Sequence, residues 1–145
     1  NRPLEKTLLW ICRQLQDIGI LTEAENVQQK LIERVNMAPV GIPGTQMGLF
    51  HVRNTAVASS YFGIYELERE IPIIGIDRKE MCLKRLLIMV APYPLNVVER
   101  ELLGLVSSMV IENDSTTALF DKGEEEEVRK KIEKEFKAYV LRKTH

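Results

Sequence analysis

The sequence predicts an α/β fold in which a mixed β-sheet is sandwiched by helices, with all 145 residues forming a single domain. Three features carry that expectation. The chain opens with two amphipathic helical patterns in succession. It closes on a further one, with apolar residues at strict four-residue spacing. Between them lie segments rich in β-branched and aromatic residues, among them the unbroken run Leu86-Leu87-Ile88-Met89-Val90. Such a run suits a central strand covered on both faces.

Each element has its own signature. Leu4, Leu8, Ile11, Cys12, Leu15 and Ile18 recur at helical spacing, and Gly19 stops the pattern. Trp10 falls off this stripe and is expected over a neighbouring edge. Thr22 is the expected cap of the second helix, where Glu23 and Glu25 favour the positive first turn and Val27, Leu31 and Val35 form one face. Arg34 arrives near the end of that helix. Residues 36–45 hold Pro39, Gly41, Pro43 and Gly44 and read as loop.

The apolar run Met47-Gly48-Leu49-Phe50 then brings His51 to the end of a strand. Residues 55–67 read as the next strand, residues 66–70 as a turn, and residues 71–76 as a short strand that ends at Asp77-Arg78-Lys79-Glu80. Residues 83–91 form the apolar strand, broken by Pro92 and Pro94. Asn96, with Glu99 three residues on, caps a helix whose stripe is Val98, Leu102, Leu105, Val106 and Met109. Ser115-Thr116-Thr117 opens a short helical turn through Phe120. After Gly123 the last helix carries Val128, Ile132, Phe136 and Val140 on one face. Its Glu124–Glu127 run and its Arg142-Lys143 end are what the helix dipole favours, so the acidic run is structural.

The totals narrow the function. Lys plus Arg number 20 against 21 acidic residues, a net charge of -1, so there is no global basic signal for nucleic acid or anionic membrane. No apolar run approaches the roughly 20 residues that cross a bilayer. No signal peptide is visible, and a start at Asn1 suggests a segment of a longer protein. Cys12 and Cys82 lack CxxC spacing and read as reduced thiols of a cytosolic, cytoplasmic protein. With one internal histidine there is no credible zinc cluster.

Phosphate-binding glycine loops, the Gly-x-Ser-x-Gly elbow and an identifiable glycosidase carboxylate pair are all missing from the sequence. What remains is His51, with Arg53 two residues on and Arg34 within reach from the helical pair. A neutral imidazole near guanidinium groups can accept a phosphoryl group. The ring nitrogen is the nucleophile, and arginine offers paired donors to phosphate oxygens. The plainer reading is a histidine that packs, with Arg53 as a solvated strand-end charge and Arg34 as a cation satisfying its helix dipole.

Over nearly its whole length the chain resembles a phosphotransferase-system (PTS) IIA domain of the mannitol/fructose class. The resemblance rests on Glu33-Arg34, Gly48-Leu49-Phe50-His51, the strand ending in Ala91-Pro92, and the helix from Asn96. Ile42-Pro43-Gly44-Thr45, followed by Leu49-Phe50-His51-Val52-Arg53-Asn54, is similar to the C-terminal IIA-like domain of MtlR-type transcriptional activators of mannitol operons. This implies the mannitol/fructose IIA-like fold, with His51 as phospho-acceptor and Arg34 as phosphate stabiliser; Arg53 is a further candidate.

Two departures matter. Ile42-Pro43 is followed by glycine where transporter-type domains have histidine, so His51 is matched by its strand position. The place of their second active-site histidine reads Leu95-Asn96-Val97-Val98-Glu99-Arg100, with Val98 or Glu99 nearest. The resemblance therefore implies a regulatory phospho-acceptor more than a turnover enzyme, needing no cofactor or metal. Its partners would be PTS phosphoproteins (a histidine phosphocarrier protein, IIA or IIB components) and other domains of the same regulator, without direct DNA contact or membrane. The alternative is a IIA phosphocarrier relaying phosphate to a IIB domain for sugar uptake. A third reading is a binding module that kept the fold and lost the chemistry.

Overall fold

The computed structural model describes residues 2–94, 104 and 106–144, with side chains as far as residue 134. The chain forms two compact units, Asn1–Asn96 and Val97–His145. The first contains α1 (Arg2–Asp17), α2 (Ala24–Met37), β1 (Met47–Asn54), β2 (Tyr61–Ile74) and β3 (Glu80–Pro92). The sheet is mixed, as the sequence predicts. Its order is β1-β3-β2, with β3 in the centre, parallel to β1 and antiparallel to β2.

The apolar run lies on β3, as its pattern requires. Leu86, Ile88 and Val90 join a core cluster with Leu4, Leu8, Ile11 and Leu15 of α1 and Val27 and Leu31 of α2. Leu87, Met89 and Ala91 alternate to the opposite face and are buried too. The α1 stripe stops short of Ile18, which lies beyond the helix and is 67% exposed. Gly19 follows with φ 84°, a left-handed value that a side chain would resist, and the chain reverses there. Trp10 is exposed.

Thr22 does not cap α2. The cap position is Glu23, whose side chain makes no capping bond. The orphan donor is satisfied from another helix: Gln16 Oε1, at the end of α1, accepts the Ala24 N–H at 2.7 Å. Gln16→Ala is therefore expected to destabilise the fold by about 0.5–2 kcal/mol, the range for losing a cap. A shift of the urea midpoint checks it.

The strands expected at residues 55–67 and 71–76 are one long strand, and residues 66–70 do not turn the chain. Glu66 pairs with Arg85 and Ile71 with Leu83, so residues 67–70 of β2 stand opposite Lys84 alone. This is a large irregular bulge whose charged residues face water. It is held from β3: Arg85, only 8% exposed, is ion-paired to Glu66, and Lys84 Nζ donates to the Glu68 carbonyl at 3.0 Å. Residues 55–60, expected to begin the strand, form a turn and bend instead.

In the second unit residues 106–110 are helical, with Val106, Met109 and Val110 buried. α3 (Asp114–Lys122) starts one residue before the expected Ser115. Asn113 Oδ1 caps it by accepting the Thr116 N–H at 2.8 Å. α4 (Glu125–Thr144) begins with three glutamates, and Val128 is buried. The expected Asn96 cap and the positions of Val98, Glu99, Leu102 and Leu105 lie outside the described residues, as do the side chains of Phe136 and Val140. Among the described residues no helix is long and apolar enough to cross a membrane.

Candidate functional site

His51 is the fifth residue of β1, not its last. The strand continues through Arg53 and Asn54, paired with Ala91 and Pro92 of β3. Phe50 and Val52 belong to the core cluster, so alternation sends His51 and Arg53 to the opposite face, in line with Met89 and Ala91. β1 is an edge strand of the described sheet, and the segment after α2 is bonded along its outer flank, where the Leu49 N–H donates to the Val40 carbonyl. Arg34, in the last turn of α2, places Nη2 3.5 Å from His51 Nε2.

The structure thus brings together two of the three residues singled out from sequence, and sets Arg53 two positions along the same strand. A guanidinium only donates hydrogen bonds, so the ring nitrogen facing it accepts and the imidazole proton belongs on Nδ1. The imidazole is half-buried, and its pKa lies below the ordinary 6.5. Desolvation by burial is the main cause, followed by the charges of Arg34 and then Arg53. The ring is therefore neutral near pH 7, with an available lone pair on the side where the cations lie.

Gly41 of the glycine-rich loop is held at the start of β1 and at the β2–β3 turn. It forms bridges with Gly48 and Gly75, and its carbonyl accepts the Ile76 N–H at 2.9 Å. A Cβ at Gly41 would come within 2.5 Å of Met81 Sδ, so this position favours glycine for close packing, whereas Gly44 has φ 78° and open space around it. A cavity of about 740 Å³ lies in the same region, walled by Val35, Met37, Val40, Ile73 and Met81. His51 is not part of it.

Neither cysteine contributes chemistry here. Cys12 is buried in the core and its thiol is pushed up to about 12, mainly by desolvation. Cys82 is exposed, and a hydrogen bond with Glu70 raises its pKa as well. Among the described residues no cluster of His, Cys, Asp and Glu is arranged to hold a metal ion.

Residues 4–135 match the family described as phosphoenolpyruvate-dependent sugar phosphotransferase system, EIIA 2. The chain belongs to this family. Nitrogen regulatory protein IIA-Ntr from Neisseria meningitidis, known from a crystal structure, has the same fold. Its TM-score is 0.65 at 16% identity, over 88% of this chain and 85% of that one. A Streptococcus mutans (serotype c, strain ATCC 700610 / UA159) protein named as a transcriptional regulator, MtlR, is 25% identical over 109 residues. That match covers 75% of this chain, but the chain spans only 17% of that regulator's length. The EIIA-type domain is thus similar to one segment of a much larger regulator.

Sequence reasoning missed the residues that frame the site. Asn54 Oδ1 accepts the Ala56 N–H at 2.8 Å, turning the chain directly after Arg53. Thr22 Oγ1 donates to the Ala56 carbonyl at 3.2 Å. An asparagine two residues before a backbone donor is a recognised turn signal, so Asn54 was open to discovery. The distant partner of Thr22 was not.

Proposed function

We propose that this EIIA-type domain is a regulatory phospho-acceptor of a PTS-controlled transcriptional regulator of the mannitol operon activator type. His51 takes the phosphoryl group, and its modification modulates transcription through the regulator's other domains. The observation that carries this reading is the half-buried imidazole with Arg34 Nη2 3.5 Å from its Nε2, where burial and the two arginines favour the neutral ring. The ring nitrogen attacks the phosphorus of a phosphohistidine donor. The new N–P bond forms as the donor's N–P bond breaks, and the donor ring leaves with the electron pair. Arg34 meets the dianionic group as it arrives, and Arg53 is a second cation close along the strand.

Phosphate adds close to two negative charges and strong acceptors on an edge strand, where it can make or break a contact with a neighbouring domain. The missing second histidine favours this reading over relay to a IIB domain, and similarity to one segment of a larger regulator supports it further. The donor would be a histidine phosphocarrier protein or a IIA or IIB component. The setting would be the cytoplasm, with DNA contact left to other domains.

Acid-labile phosphate incorporation from a phosphohistidine donor system tests the proposal. The parent domain is expected to be labelled and His51→Ala to take up none. A label that transfers readily to a IIB protein would instead identify a relay. An unlabelled parent beside a competent control would leave only a binding module.

A further inference from the structure

The Arg34–His51 contact joins two elements that are far apart in the chain, and its 3.5 Å length sits at the outer edge of hydrogen bonding. A displacement of α2 by a fraction of an ångström along β1 would remove it. Besides the packing of Val27 and Leu31 in the core, two hydrogen-bonded connections hold that position. On one side of the site, the Leu49 N–H donates to the Val40 carbonyl at 3.2 Å, just beyond the end of α2. On the other, the loop between α1 and α2 is tied to the turn after β1. There the Thr22 N–H donates to the Ala56 carbonyl at 2.8 Å and the Ala58 N–H to the Ile20 carbonyl at 2.8 Å, with Leu21 and Val57 bridged between them.

We propose that Thr22 and Asn54 act as positioning residues, forming a latch that sets Arg34 and Arg53 about His51. Asn54 shapes the turn from within: its side chain accepts the Ala56 N–H, and its carbonyl accepts the Val57 N–H at 3.1 Å. This bends the chain immediately after Arg53 and presents the Ala56 carbonyl to Thr22. The Thr22 hydroxyl and N–H then share that one acceptor. α2 begins two residues after Thr22 and carries Arg34 about 15 Å beyond its first residue, at ~1.5 Å per residue. A helix is stiff along its axis, so its anchorage at Thr22 is transmitted to the guanidinium.

The functional consequence rests on the phospho-acceptor reading; the geometry does not. The test uses the whole chain and follows the His51 imidazole Cε1–H by NMR titration, assigned against His51→Gln. Among the described residues the charged groups acting on His51 are Arg34 from α2 and Arg53 from β1, while its β3 neighbours Met89 and Ala91 carry none. Asn54→Ala and Thr22→Val are each expected to move the titration upward, toward the ordinary histidine value. Asn54→Ser, which keeps an acceptor for the turn, should restore the parent curve. Uptake of label from the phosphohistidine donor is expected to fall severalfold in Asn54→Ala and recover in Asn54→Ser. Lower melting temperatures with an unmoved His51 titration would overturn the latch. A parent that titrates as expected but takes no phosphate would sink the phospho-acceptor reading and leave the latch standing.

Discussion

Arg34→Met is expected to slow phosphoryl uptake by His51 by about 100- to 1000-fold, the usual cost of deleting one preorganised donor from a developing anion. The methionine keeps the length and apolar stem of the side chain, so the loss belongs to the guanidinium. Arg34→Lys should fall between the two, because an ammonium restores a charge near Nε2 but not paired donors in a fixed plane. Initial rates of acid-labile labelling at a fixed donor concentration check both. A Met variant within threefold of the parent would show that Arg34 merely completes its helix.

The same substitution should change the pH dependence, in a direction fixed by what holds the imidazole neutral. Burial, the larger cause, survives the mutation, while the Arg34 charge does not. The His51 pKa is therefore expected to rise in Arg34→Met but to stay below its ordinary value of 6.5, because burial and Arg53 still hold it down. Uptake needs the neutral ring, so the acidic limb of the rate profile moves to higher pH, and the penalty is larger at pH 6 than at pH 8. Stability follows the same linkage. An unfolded chain binds a proton to this ring near its ordinary pKa, whereas the folded chain does so only at lower pH. The contribution of His51 is thus fully present above the unfolded value and is lost as pH falls through the folded one.

How far this could be read from sequence depends on where each interaction closes. Amphipathic stripes are local, so α1, α2 and the final helix were legible from Leu4–Leu15, Val27–Leu31 and Val128. The run Leu86–Val90 announced a doubly covered strand, and β3 is one. The β2 bulge was not legible, because Glu66, Glu68, Arg69 and Glu70 look like a turn until Arg85 and Lys84 are seen facing them from another strand. Thr22 looked like a cap for the same reason. Its hydroxyl prefers the Ala56 carbonyl, 34 positions away, and the cap is supplied by Gln16. At the site, the pairing of His51 with Arg34 was anticipated from residue type and order. Asn54 carried a local turn signal, but its link to Thr22 depends on which backbone groups meet across the chain and is not legible in sequence.

Phe50→Ala is expected to cost about 3–5 kcal/mol of stability, the range for truncating a buried aromatic ring. Phe50 is 1% exposed, sits in the core cluster opposite Ile88, and lies against Gly48, where an added Cβ would come within 3.0 Å of the ring. With no side chain at Gly48 to fill the space, the mutation leaves a cavity that β1, fixed by its pairing to β3, cannot easily close. Such a loss is a large part of the about 5–15 kcal/mol that stabilises a typical domain. Urea denaturation measures it, and a change below 1 kcal/mol would show that the strand relaxes to fill the gap. The neighbouring residue separates packing from chemistry. Phe50 faces the helices and His51 the opposite side, so phosphoryl uptake per folded molecule should stay near the parent rate while the folded fraction falls. Arg34→Met should do the reverse, abolishing most uptake with little change in the unfolding midpoint. Together the two variants distinguish a strand that holds the fold from the imidazole it carries.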